Sequence, residues 1–508
     1  MSYSLKDNNV VFKATSWTLI SIGIFLRLAH YFSNRSLWFD EALISLNIIN
    51  RNIWGLLGHL DYNQGAPAGF LIVEKLLTTL FGKSDYVLRL FPLICGISSL
   101  FIFYRLAKIY LNRIGALTAL ALFAISEPLI YYSSEVKVYS GDVTATTLLL
   151  LIAFSIEQKN KISFLQIALF SFFGVLLFGF SIPSAFVFGS MAIGFLLKSI
   201  LDKNWKLVKD ILLCSSFWLL GAFLIYKVYL SGLAAERIRL SLFPLTFQWF
   251  YDLFVRLFES LQLYEFGIPQ ILFLIGLVSA LKRKNILFFI FVFTICFMTL
   301  AFSINLYPVK NRFILFISPI VFLLVAEGIT IILKRLSTNL SLSLVAIVLL
   351  FWNPVSSAIY HVVNPQTVQE IKPILRYIKE HSRKDDILYV YPNAQYAFKF
   401  YAKQFGFNDD FKIDKSIFYA DLKLNRWIEK KGYLTIALGI NNEDFTENLD
   451  RLKGYKRVWV LLSEVIKEEH EAFVVNHLNS IGTRLANFSR SGTKVYLYDL
   501  SNGRKQIQ

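Results

Sequence analysis

Apolar runs of near-spanning length recur along the first 360 residues, and short polar gaps separate them. A helix needs about twenty apolar residues to cross the hydrocarbon of a bilayer, so each run is read as a span. The runs fall at about 15–33, 86–108, 114–132, 142–157, 163–181, 183–201, 208–230, 267–281, 285–304, 312–333 and 340–360. The segment 67–82 is shorter and carries Glu74 and Lys75 near its centre. Each would cost roughly 2.5–3.5 kcal/mol facing lipid, which predicts a juxtamembrane helix on the outer face instead of a span. After Tyr360 the periodicity changes. Segments 386–391, 457–462 and 494–498 read as strands, and 366–381 and 465–481 as helices. The predicted fold class is a polytopic α-helical membrane protein with about eleven transmembrane helices and outer-face juxtamembrane helices. Its domains are 1–360 in the membrane and 361–508 as a C-terminal extracytoplasmic α/β domain.

Composition agrees with this class: 55% of the 508 residues are hydrophobic, 48 of them Phe, which excludes a soluble globule with so many long apolar runs. The net charge of +17 would point to nucleic acid in a soluble protein, but here the excess sits between apolar runs. Lys6 and Lys13 precede the first run, and alternate gaps carry Arg105, Lys108 and Arg113, then Lys159 and Lys161, then Lys198, Lys203, Lys206 and Lys209, then Lys282, Arg283 and Lys284, then Lys334 and Arg335. Positive loops stay in the cytoplasm. The N-terminus is therefore expected in the cytoplasm, the C-terminal domain outside, and the chain in the cell (inner) membrane, with membrane lipids and not nucleic acid as partners. Counting 67–82 as a span would invert every basic cluster. The three cysteines lie far apart inside apolar runs, a poor basis for a disulfide framework or a metal site. The first run carries Arg27 and lacks a small-residue cleavage site, so no cleavable signal is expected.

On this topology the unusual polar residues collect on the outer side. Ser36-Leu37-Trp38-Phe39-Asp40-Glu41-Ala42 follows the first run with two adjacent carboxylates. Such a pair can take a proton from an attacking hydroxyl or hold a divalent metal such as Mg or Mn; equally, it can cap the helix that its periodicity predicts from about Ala42. The next outer segment contains Glu135, Lys137 and Tyr139, which share one side if the loop is extended; a Lys held between acids can clamp a phosphate. The blander reading is an aromatic belt with a snorkelling Lys. A third segment holds Tyr307, Lys310 and Arg312, cations on the side where the positive-inside trend disfavours them, which points to an anionic partner. Arg89, at the outer mouth of the second run, adds a further charge. Arg27 and Glu327 read as ions that snorkel or pair with a neighbouring helix. In the C-terminal domain, His470 and His477 sit among glutamates on a predicted helix, a solvated face more than a metal site. Acids on one loop and cations on two others suit a phosphate-bearing lipid with a reactive group at the membrane surface.

The order of these motifs resembles the C-type-fold membrane glycosyltransferases that use polyprenyl-phosphate sugars, the group containing protein O-mannosyltransferases and the lipid A aminoarabinose transferase. The likeness covers roughly residues 15–335. It rests on Leu37 to Glu41, Gly65-Ala66-Pro67, Arg89 to Pro92, Tyr132 to Tyr139, and Arg312-Phe313 followed by Pro319. The family often has His-Pro-Pro at 65–67 and Arg at 137; Lys keeps the charge and loses bidentate phosphate binding. The resemblance implies a polyprenyl-phosphate sugar donor, a lipid, glycan or protein acceptor, and inverting transfer to an acceptor hydroxyl or amine. It implies Asp40 as base, Glu41 orienting it or sharing a metal, and Lys137, Tyr307, Lys310 and Arg312 on the departing phosphate. Glu135, Tyr139, Arg89 and Pro67 would support or face the acceptor. The competing class is a transporter or flippase of a lipid-linked glycan. It would place ionisable groups near the midplane and often shows inverted repeats, whereas here the polar clusters lie at the outer rim.

Overall fold

The computed structural model describes residues 2–157, 163–225, 246–263, 267–309, 311–336, 339–407, 446, 449–463 and 468–502; Lys310 falls outside them. The chain divides into two compact units, Met1–Ser33 with Ala66–Pro365, and Asn34–Gly65 with Gln366–Gln508. This differs from the predicted division at residue 361. The Leu340–Val363 helix runs past Tyr360, and the loop carrying Asp40 groups with the C-terminal residues.

In the first unit every predicted span contains a helix. Seven of the described helices are long and apolar enough to cross a membrane, and three shorter apolar ones accompany them. The protein is a multi-pass membrane protein. Asn311–Arg335 is buried along most of its length, with no exposed face from Ile320 to Ala326. It packs on Ile268–Lys282 so closely that a methyl built on Gly276 would lie 2.0 Å from the Leu324 carbonyl oxygen, and one on Gly328 1.9 Å from that of Leu272. Helices in lipid lack a hydrophobic drive toward one another, and small residues let their backbones touch. The 67–82 segment forms the helix Ala68–Phe81, with Glu74 buried against protein.

The predicted span 114–132 is two helices, Arg113–Ile125 and Glu127–Tyr132, broken at Ser126. Pro128 has no N–H to give the Ala124 carbonyl four residues back. Arg27 replaces it: its guanidinium donates to Ala124 O at 3.0 Å and Phe123 O at 3.3 Å, and to Gly23 O at 3.0 Å. Arg27 has no exposed surface, so it does not snorkel; it pairs with the neighbouring helix through that helix's carbonyls. Glu327 does pair with a neighbour, accepting from Arg283 at 2.5 Å and from the Tyr110 hydroxyl.

The second unit carries four strands, β1 (Ile387–Val390), β2 (Val458–Ser463), β3 (Thr483–Arg490) and β4 (Thr493–Asp499), in the order β1-β2-β4-β3. β1 and β2 are parallel, with Ile387 opposite Val458; the other pairs are antiparallel. The 366–381 segment is helical only over Ile371–His381, where Ile371, Ile374, Leu375 and Ile378 form a buried stripe; it packs on β3 and β4. Asp386 is buried below it, accepting from Arg457 Nε at 2.8 Å and Trp459 Nε1 at 2.7 Å. On Glu468–Ile481, His477 reaches Asp450 at 2.8 Å.

Two outcomes are expected from this packing. Gly328→Ala inserts a methyl where a carbonyl already sits and should lower stability by about 1–3 kcal/mol. Arg27→Met removes the donor that Pro128 lacks and should cost about 1–3 kcal/mol for each carbonyl left unpaired. Thermal unfolding of the purified protein in detergent reads both, and an unchanged midpoint for either variant contradicts its assignment.

Candidate active site

The acid pair stands at the start of the helix Phe39–Asn50 in the second unit. Trp38 is extended, with φ −81° and ψ 174°, and the Glu41 carboxylate turns back to accept its N–H at 3.4 Å, the half of a capping box that the N3 residue supplies. Glu41 is fully buried, whereas Asp40 is half-buried. The two readings of the pair thus separate. Glu41 takes the capping role, and Asp40 is the carboxylate with access to a ligand. Among the described residues no group of three or more His, Cys, Asp or Glu side chains gathers around the pair.

The loop ahead of the acids is bound by side chains more than three hundred residues away. Ser36 N–H and Oγ both donate to Glu370, each at 3.0 Å. Leu37 N–H donates to the Tyr401 hydroxyl at 2.8 Å, and Phe39 N–H to Gln369 Oε1 at 2.8 Å. Lys372 Nζ donates to the carbonyls of Asn34 at 2.6 Å and Arg35 at 3.3 Å. The Phe39 ring meets Tyr396 edge-on at 5.5 Å, and Tyr62 meets the Tyr396 ring from elsewhere at 4.9 Å. Beyond the helix, Arg51 holds Asp61 in a two-pronged pair at 2.5 and 3.2 Å. Asp61 N–H donates to Asn47 Oδ1 at 2.8 Å.

In the first unit the second and third motifs converge. The Arg312 guanidinium lies 5.8 Å from the centre of the Tyr139 ring and 5.6 Å from that of Phe313, a cation over aromatic faces. Tyr139 packs edge-on against Phe313 at 5.7 Å and Tyr132 at 5.0 Å. Some 170 residues of sequence separate these partners. Tyr307 is buried and its hydroxyl donates to Phe313 O at 2.8 Å, so its one proton is committed to the loop and not offered to a phosphate. Burial, then the charges of Asp142 and Tyr139, push that hydroxyl well above the usual tyrosine range.

The loop 133–138 is not extended. Lys137 N–H bonds Glu135 O at 2.7 Å, a tight turn that buries Glu135 completely and leaves Lys137 half-buried, so Glu135, Lys137 and Tyr139 do not alternate along an extended chain. Arg89 is buried at the junction of Asp85–Leu88 and Leu90–Tyr110. Pro67 is the N-cap of Ala68–Phe81. Sequence reasoning missed Asp142, a buried acid in the first turn of Tyr139–Glu157. It also missed Gln369, Glu370, Lys372 and Tyr401. Their only signal was polar residues just before an amphipathic helix, which reads as ordinary capping.

Residues 65–229 match the family model described as dolichyl-phosphate-mannose-protein mannosyltransferase. Among solved structures, ArnT from Cupriavidus metallidurans in the apo state matches with a TM-score of 0.54 at 10% identity, over 99% of this chain and 100% of that one. ArnT from the same organism bound to undecaprenyl phosphate matches at 0.50 and 11% identity, over 98% of this chain and 99% of that one. No match was found among curated protein sequences. The chain has the fold of ArnT, in agreement with the order of its motifs.

Tyr307→Phe should keep the ring packing and lose the bond to Phe313 O. The expected cost is about 1–3 kcal/mol, seen as a lower unfolding midpoint. A midpoint equal to that of the wild type would show that the hydroxyl does not hold the loop.

Proposed function

We propose that this protein moves a sugar from a polyprenyl-phosphate lipid to an acceptor hydroxyl or amine at the outer face of the cell membrane, in a single inverting displacement. The convergence of Tyr139, Arg312 and Phe313 carries the reading. It gives a chain of this fold a cation, mounted on aromatic rings, that suits the phosphate of a lipid carrier. ArnT bound to undecaprenyl phosphate supports the same class of lipid, and the mannosyltransferase family match supports glycosyl transfer. The basic clusters in alternate gaps support an N-terminus in the cytoplasm, a C-terminal domain outside and an inner-membrane location.

In this reading the acceptor oxygen or nitrogen attacks the anomeric carbon and its proton passes to Asp40. The bond from that carbon to the phosphate oxygen breaks, and its electron pair stays on the phosphate. Charge grows on the leaving group in the transition state, so Lys137, Lys310 and Arg312 act where it develops. Glu41 serves Asp40 by fixing the first turn of its helix. Tyr139 holds Arg312, while Tyr307 shapes the loop.

Donor turnover from a panel of labelled polyprenyl-phosphate sugars, in membranes at matched expression, tests this and identifies the sugar. Arg312→Ala should lose roughly a hundredfold or more in kcat, and Asp40→Asn should be inactive within detection. Wild-type turnover by either variant would remove that residue from the chemistry. Turnover of no polyprenyl-phosphate sugar by folded wild-type protein, with acceptor extract present, would overturn the reading.

A further inference from the structure

We infer that the C-terminal unit is the positioning element of the acid pair, with Gln369, Glu370 and Tyr401 setting where Asp40 stands; this rests on the role proposed for Asp40. The backbone N–H groups of Ser36, Leu37, Trp38 and Phe39 run in an unbroken row, and each donates to a side-chain oxygen. The acceptors are Glu370, Tyr401, Glu41 and Gln369 in turn. A row of four donors held this way cannot slide or twist without breaking several bonds together, and Asp40 is the next residue. Three of the four acceptors belong to 369–401. Loops tolerate drift, and catalysis does not: a misplacement of about 1 Å can cost a hundredfold in rate.

The row is itself backed from behind. Glu370 N–H donates to Ser491 O at 2.8 Å, and Ser491 Oγ to Thr367 O at 3.0 Å. Gly492 follows with φ +60°, and a methyl there would lie 2.2 Å from Val368 O. The β3–β4 turn therefore braces 367–370, and 369–370 braces 36–39. This assigns the C-terminal domain a place in the transfer reaction itself, apart from any contact with an acceptor.

The test compares full-length variants in the donor-turnover assay. Tyr401→Phe removes one hydroxyl from a fully buried ring; Tyr498→Phe does the same to another, whose hydroxyl donates to Asn479 Oδ1 at 3.0 Å away from the loop. Tyr401→Phe should lower kcat tenfold or more, with the donor KM within twofold of wild type. Tyr498→Phe should keep kcat at a comparable unfolding midpoint. Gln369→Ala should fall like Tyr401→Phe, and Gln369→Glu, which keeps an acceptor for Phe39 N–H, should recover most of the loss. Wild-type kcat for Tyr401→Phe and Gln369→Ala, with Asp40→Asn inactive, would overturn the positioning role and leave the proposed reaction standing. Equal losses in Tyr401→Phe and Tyr498→Phe would also overturn it, since a general loss of domain stability would then explain both. An active Asp40→Asn would overturn the reaction assignment and the positioning role together.

Discussion

Four consecutive backbone donors, from Ser36 to Phe39, need acceptors where the chain enters the helix Phe39–Asn50 and no earlier turn can supply them. Buried N–H groups left unpaired are costly, and here each finds a side-chain oxygen. The acid pair inherits its geometry from that solution. Glu41 closes the first turn of its helix, Gln369 satisfies the donor at its first residue, and Asp40 is left half-buried between them. One carboxylate is used for structure, and its neighbour is the base in the proposed reaction.

A parallel constraint shapes the membrane unit. Pro128 breaks the helix path ahead of the Tyr131–Tyr139 motif, and a break inside an apolar bundle strands carbonyls. Arg27 donates to them from the neighbouring helix. The motif is thereby delivered to the loop that carries Tyr307, Arg312 and Phe313, where rings pack edge-on and the guanidinium lies over two of them. Both units thus meet the backbone's demand for partners with side chains remote in sequence.

The spans and three of the four strands were legible because apolar periodicity is a local property. β3 was not, since Thr483–Arg490 is largely exposed and an exposed edge strand leaves no alternating signal. The start of the Ile371–His381 helix was read early because Gln369 and Glu370 look like first-turn residues, while their side chains are engaged with residues near 36. The break at Ser126 could have been read from Pro128, but Arg27 as its remedy could not, because nothing local links positions 27 and 124. In the site, the residue types were legible and their contacts were not. The sequence assigns Asp40 as base with Glu41 orienting it, Tyr307 as a phosphate donor, and a shared side for Glu135, Lys137 and Tyr139 if their loop is extended; the distances show how Glu41 turns back to Trp38, tie Tyr307 to Phe313, and curl the loop at Lys137.

Hydrogen exchange of the full-length protein, followed by mass spectrometry on peptides covering 34–41, 369–375 and 458–463, addresses the central claim most directly. If 36–39 is held by 369–401, its amides should be protected together with 369–375 and at a level approaching β2, since only opening of the domain would release them. Exchange of 34–41 at the rate of an open loop, orders of magnitude faster than 369–375, would contradict the account.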